Sequence, residues 1–345
     1  MKIIRMAGKL ILAGITAAVI LSAIMFAYDI LPVHYENTKG NTDFTWEPNG
    51  IWVKMTEGIS FGKFDSDGFN NPQVIHNPDI VIVGSSHMEA TNVFYNQSVS
   101  GLLSEKLKDR YSVYNLGMSG HYFTKACQYL PANLKMYDPA PKVAALETTT
   151  LQITEKKVRQ ILNCEVEHTP SQATGLIGIL QKIPVFRSLY HQLKDGLLDV
   201  FMQKKAARNS MAEEIEPEED IPESAIDEKP YDELFSYLAN LEKEFGTQII
   251  IFYQPTEKLN ESGDIEFQSG EALTVFSKYA ERYGIDFVNM ISPFEEMYSR
   301  DHLVAHGFVT GAVGEGHLNA NGHRAIADEL FKVIERLEEE GALCQ

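Results

Sequence analysis

A chain of 345 residues that is 44% hydrophobic and 23% charged can bury a full core, which excludes global disorder and fits one large domain with appendages. Its net charge of −18 excludes nucleic acid as a partner, because a phosphate backbone needs a basic surface. About half of that charge is local: Ala212 to Lys229 carries nine acids and one lysine, the composition of a solvated linker.

The first feature in chain order is Leu10 to Tyr28, about 19 residues without a charge, preceded by Lys2, Arg5 and Lys9. At about 1.5 Å per residue a helix of that length nearly spans a bilayer core. Residues 1–30 are therefore expected to form an uncleaved N-terminal transmembrane helix. The basic flank would stay in the cytoplasm and the rest of a single-pass protein would lie outside the plasma membrane. A cleavable signal peptide is the rival, but its apolar stretch is usually ~7–15 residues, and Met25-Phe26-Ala27 is a poor cleavage signal. Residues 31–76 are rich in Gly, Asn, Asp and Pro, with Trp46, Trp52, Phe61, Phe64 and Phe69 between them. They read as a stalk that becomes irregular strands on the edge of a domain spanning 77–345, with the tryptophans as packing anchors and a sugar platform on Trp46 or Trp52 as the lesser alternative.

Asp79 to Val83 is a short apolar run without polar alternation, the pattern of a strand buried on both faces of a parallel sheet. Further strands are expected at Tyr111 to Leu116, Val143 to Glu147, Gln248 to Tyr253 and Ile285 to Met290. Helices are expected at Ser98 to Arg110, Thr124 to Tyr137, Tyr231 to Phe245, Glu271 to Tyr283 and Ala320 to Glu339. Strands alternating with helices imply parallel pairing and right-handed crossovers. The fold class is thus α/β: a three-layer α/β/α sandwich on a five-stranded parallel, flavodoxin-like sheet. Roughly 95 residues separate the third and fourth strands, too many for one crossover, so 161–230 reads as a helical insertion followed by the acidic linker. Three cysteines with no Cys-x-x-Cys spacing encode neither a zinc site nor a disulfide scaffold.

In open α/β sheets working groups lie just past the carboxyl ends of strands. Ser85, Ser86 and His87 follow the first strand, where they could present a nucleophile or merely cap the next helix. Far along the chain, Gly314-Glu315-Gly316-His317-Leu318-Asn319 leads into the last helix, with Asn319 as its cap and Gly322 for close packing. A serine after the first strand and a histidine before the last helix can meet at the carboxyl edge as nucleophile and base.

These blocks resemble the SGNH (GDSL-type) hydrolase superfamily, in particular its membrane-anchored bacterial branch related to O-acyl esterases and transferases of cell-envelope polysaccharide. Gly84-Ser85-Ser86 looks like the family's Gly-Asp-Ser, which puts Ser86 in the nucleophile's place. Asn115-Leu116-Gly117-Met118-Ser119-Gly120 looks like its Asn-x-Gly-x-x-Gly, with Gly120 as backbone oxyanion donor. His317-Leu318-Asn319 looks like its Asp-x-x-His block, with His317 as base. Two departures stand out. Thr148, Thr149 and Thr150 replace the family's Gly-x-Asn-Asp, so that Thr149 is the candidate second oxyanion donor, and Gly314 stands where the family has an aspartate. Glu315 is the adjacent candidate to orient His317, and His87 a candidate accessory. Glu89 in the first turn suits the helix dipole, and His121 is placed to touch substrate.

The resemblance implies an extracytoplasmic serine esterase or O-acyltransferase that acts, without metal or cofactor, on an acyl ester of a cell-envelope polysaccharide. A membrane-bound acyltransferase is a candidate partner. Three outcomes are open: a Ser-His dyad, a triad completed by a carboxylate from elsewhere, and a catalytically silent domain that binds glycan or scaffolds an acyltransferase. Asp301, His302 and His306 carry no strong metal signature.

Overall fold

The computed structural model of the chain describes residues 2–26, 29–30, 32, 34–36, 42–55, 57–163, 226–260, 262–267, 270–309, 314 and 316–343. Most of the expected insertion, Glu315, Cys164 and Cys344 lie outside the described residues. The chain runs α1 (Lys2–Phe26), β1 (Asp29–Ile30), β2 (His34–Glu36), β3 (Phe44–Trp46), β4 (Ile51–Lys54), β5 (Ser60–Lys63), β6 (Ile80–Val83), α2 (Ser86–Glu89), α3 (Val99–Lys106), β7 (Val113–Asn115), α4 (Phe123–Lys135), β8 (Val143–Thr148) and α5 (Glu155–Asn163). It resumes with α6 (Lys229–Phe245), β9 (Gln248–Tyr253), β10 (Glu257–Leu259), β11 (Ile265–Phe267), α7 (Glu271–Tyr283), β12 (Asp286–Asn289), α8 (Ile291–Asp301) and α9 (Ala320–Glu339).

The central sheet has the order β12-β9-β8-β6-β7, every pair parallel. This is the flavodoxin-like arrangement, with β6 and β8 at the point where the strand order reverses. All four residues of β6 and all six of β8 are buried, because helices cover both faces. Alternate side chains serve opposite layers, as a period of two dictates. Val81, Val83, Ala144, Leu146, Ile249 and Ile251 join one core with residues of α4, α6 and α7. Ile80, Ile82, Val143, Ala145, Ile250 and Phe252 join the other with residues of α3, α8 and α9.

Trp46, Trp52, Phe64 and Phe69 belong to the first of these cores, at 3% exposure or less. The segment 42–76 is thereby an integral wall of the domain. Its β4 and β5 form, with β1, a small antiparallel sheet in the order β1-β4-β5. At the N-terminus α1 is helical as expected. Among the described residues no helix is long and apolar enough to cross a membrane.

Candidate active site

The site begins where β6 ends. Ser85 caps α2 with its hydroxyl, which accepts from His87 N–H at 3.4 Å, and Ser86 is the first helical residue. Ser85 is therefore the cap and Ser86 the residue presented at the sheet's rim. A second loop runs alongside, tied by Leu116 N–H to Ile82 O (2.8 Å) and Met118 N–H to Gly84 O (2.9 Å). Gly117 is needed for this approach, since a Cβ there would collide with the backbone of Met88 and Glu89. Asn115 fixes both loops: its Oδ1 accepts from Gly117 N–H (2.8 Å) and its Nδ2 donates to Met88 O (2.8 Å).

His317 arrives from the opposite end of the sequence. Its Nε2 lies 2.9 Å from Ser86 Oγ. Its Nδ1 bonds Glu57 Oε2, a carboxylate from the turn between β4 and β5. Asn92 Nδ2 also donates to that oxygen (2.6 Å), so the carboxylate is held from two sides. The hydrogen bond from His317 holds the Glu57 carboxyl below its ordinary value of 4.5, against the opposing effect of partial burial. An ionised Glu57 can only accept, which places the proton on Nδ1 and leaves Nε2 a lone pair facing the Ser86 hydroxyl. This is the geometry of nucleophile, base and orienting acid.

Two supports keep His317 in place. Gly307 N–H donates to His317 O (3.1 Å), and Leu318 N–H donates to His87 Nδ1 (3.1 Å). Through the second bond His87 has a structural role, because its acceptor nitrogen ties the loop of the base to the helix of the nucleophile. Burial, and then the neighbouring imidazoles of His317, His306 and His323, hold His87 well below 6.5 and hence neutral, as an acceptor nitrogen requires.

The other expected residues are distributed as follows. Gly120 has φ +77° and open space where a Cβ would point, at the end of the loop beside Ser86. Thr149 follows directly after β8, next to β6; the threonine hydroxyl engaged there is that of Thr148, which donates to Thr150 O (2.5 Å). Glu89 is buried and accepts from Trp46 Nε1 and Ser119 N–H (2.8 Å each), so it joins two loops rather than complementing a dipole. His121 is buried, with Nε2 2.5 Å from Asp43 Oδ1 and its ring stacked on Tyr129. His302 is the left-handed cap of α8. Among the described residues no group of histidines, cysteines and acids is arranged to hold a metal ion.

The residue that sequence reasoning missed is Glu57, with Asn92 behind it. The only local signal was an acid beside Gly58 in a turn between two short strands, and nothing in that pattern points 260 positions downstream.

No family model and no curated protein matches this chain. Solved structures do. An acetyl xylan esterase is 14% identical with a TM-score of 0.39, over 74% of this chain and 99% of its own. An acetylxylan esterase from Geobacillus stearothermophilus, solved as a catalytic mutant, is 13% identical with a TM-score of 0.39, over 75% and 94%. A GDSL-like lipase from Bacteroides thetaiotaomicron is 11% identical with a TM-score of 0.35, over 74% and 87%. The role of each side chain rests on the distances given above and not on these likenesses.

Proposed function

We propose that the protein is a serine esterase or O-acyltransferase. Ser86 Oγ attacks the acyl carbonyl while its proton passes to His317 Nε2. The carbonyl electron pair becomes an oxyanion, for which the Ser86 and Gly120 N–H groups and the Thr149 hydroxyl are the candidate donors. Collapse breaks the bond to the leaving alcohol, which takes the proton from His317. An acceptor hydroxyl then attacks the acyl-serine and gives its proton to His317, which returns it to Ser86. Water as acceptor gives hydrolysis, and a sugar hydroxyl gives transfer. Glu57 holds the proton-bearing side of the imidazole throughout.

The observation that carries this reading is the continuous hydrogen-bonded line Ser86–His317–Glu57 at the sheet's reversal point. A catalytically silent domain, which the two altered blocks suggested, is the less favoured reading, since nucleophile and base lie within hydrogen-bond reach. The substrate class we propose is an O-acyl, in particular O-acetyl, ester of a cell-envelope glycan. From the charge-free run Leu10 to Tyr28 we further propose a membrane-proximal, extracytoplasmic site, and from the family resemblance a membrane-bound acyltransferase as candidate partner.

The test is turnover of a chromogenic acetyl ester by the purified chain. Ser86→Ala and His317→Ala should abolish it. Glu57→Gln, which cannot fix the imidazole tautomer in the same way, should slow it by up to about 10⁴-fold. Equal turnover in the Ser86→Ala protein would reject the site.

A further inference from the structure

Beneath the site runs a second hydrogen-bonded line that the proposed chemistry does not use. Ser85 N–H donates to Glu147 Oε2 (2.6 Å), and Gln254 Nε2 donates to Glu147 Oε1 (3.0 Å). Gln254 Oε1 lies 2.7 Å from His306 Nε2, and His306 Nδ1 lies 2.6 Å from Glu257 Oε2. Glu257 Oε1 also accepts from the His306 backbone N–H (2.7 Å). Each of these five residues is 2% exposed or less, so water cannot replace a lost link.

The two ends of this line are the two halves of the site. At one end, Ser85 immediately precedes the nucleophile. At the other, His306 forms a β-bridge with Leu318 and the flanking residues bond the same loop: Gly307 N–H to His317 O (3.1 Å) and Asn319 N–H to Ala305 O (2.9 Å). The line therefore spans from the nucleophile's turn to the loop of the base, through the ends of β8 and β9. Local sequence is fitted to it. A Cβ at Gly84 would lie 2.5 Å from Glu147 Oε2, so only glycine there lets the carboxylate reach Ser85.

Resting on the esterase reading, we propose that this buried line sets the spacing between Ser86 and His317, with Glu147 as the positioning residue of the nucleophile. The line can close in two ways. With Glu147 ionised, the Gln254 amide donates to it and His306 carries a proton on both nitrogens. With Glu147 protonated, the Gln254 amide is reversed, its NH2 donates to a neutral His306, and Glu257 remains the anion. Both arrangements hold the same net charge and satisfy every group. A glutamine at 147 reproduces the second arrangement, with its carbonyl accepting from Ser85 and its NH2 donating to Gln254. Shape is thereby separable from charge.

The test uses the full chain in detergent, with two readouts: ester turnover, and the rate at which a fluorophosphonate labels Ser86. Glu147→Leu should lower kcat and the labelling rate by about 10²-fold with little change in KM, the scale expected for a misplacement near 1 Å. Gln254→Leu, which leaves the Ser85 bond in place, should act in the same direction. Glu147→Gln should recover most of the rate. Labelling of Glu147→Leu and Gln254→Leu at the parent rate would overturn the proposal, as would a Glu147→Gln protein as slow as Glu147→Leu. If Glu147→Leu does not fold, Gln254→Leu decides. No labelling of Ser86 in the parent chain would instead overturn the esterase reading itself.

Discussion

Glu57 and His323 show what single side chains in this site demand of their surroundings. Glu57 is partly open to solvent and must stay ionised to hold the tautomer of His317; His323 is buried and must stay neutral. Its Nδ1 has no hydrogen-bond partner among the described residues, and burial followed by the nearby His306 and His317 pushes its pKa from 6.5 down to about 3. In the unfolded chain His323 takes up a proton as the pH falls below 6.5, while in the native fold it refuses one until about 3. Its contribution to stability is thus complete above 6.5 and is lost as the pH falls through this window, by up to roughly 1.4 kcal/mol per pH unit. Glu242, raised to about 7 by burial, works with the opposite sign over part of the same range. The comparison must therefore be between proteins that share it. Urea midpoints at pH 6.5 and pH 5 should drop more in the parent chain than in His323→Leu. Equal drops would show that the native fold accommodates a charged His323.

At the scale of elements, Gly316 decides how closely the loop before α9 approaches the β4–β5 turn. It has φ +88°, and a Cβ there would collide with Glu57 Oε1. Gly341 has a similar φ of +74° but nothing within 4 Å of the same point. Both Gly→Ala changes strain the backbone and should cost stability by about 1 kcal/mol. Only Gly316→Ala should also displace the orienting carboxylate, with turnover lower by about 10²-fold at an unchanged melting profile relative to Gly341→Ala. Equal turnover in the two proteins would mean that Glu57 does not depend on this approach. What was legible in sequence follows the same division between local and distant causes. β6, β8 and β9 read correctly because buried parallel strands are unbroken apolar runs, and α7 and α9 because their apolar spacing and their glycine or asparagine caps are local. Ser86, His317 and the Asn319 cap were legible through their place at strand and helix ends. The β10–β11 hairpin was not, because two three-residue strands of mostly charged, largely unburied residues carry no apolar run to read. Glu57 was not legible because a triad acid is defined by what it touches, and here the contact is made by a turn folded back from far upstream.

For the whole molecule, the segment before residue 77 carries far more than its sequence, which reads as an accessory edge, leads one to expect. It supplies the orienting acid, and through Trp46, Trp52, Phe64 and Phe69 it supplies four buried aromatics to the core shared with β6 and β8. At about 1.5–3 kcal/mol for each large apolar side chain, these alone amount to roughly 6 to 12 kcal/mol, as much as the net stability of a typical domain. Asn71 extends the dependence to the loops of the candidate site, since its Nδ2 donates to Asn115 O (3.0 Å) and its Oδ1 accepts from Asn115 N–H (2.8 Å). Two shortened chains separate this role from that of the N-terminal helix. A chain that begins at Asp29 lacks α1 but keeps β1, the β4–β5 turn and the whole core; it should melt cooperatively and turn over a soluble acetyl ester at the rate of the full chain in detergent. A chain that begins at residue 77 keeps Ser86, Gly120 and His317 yet lacks Glu57 and the four aromatics. It should show no cooperative melt by circular dichroism and no turnover, even when supplied with residues 29–76 as a denatured peptide. Cooperative melting with turnover in the shorter chain would show that the segment is an attachment after all, and that the base of this site works without its acid.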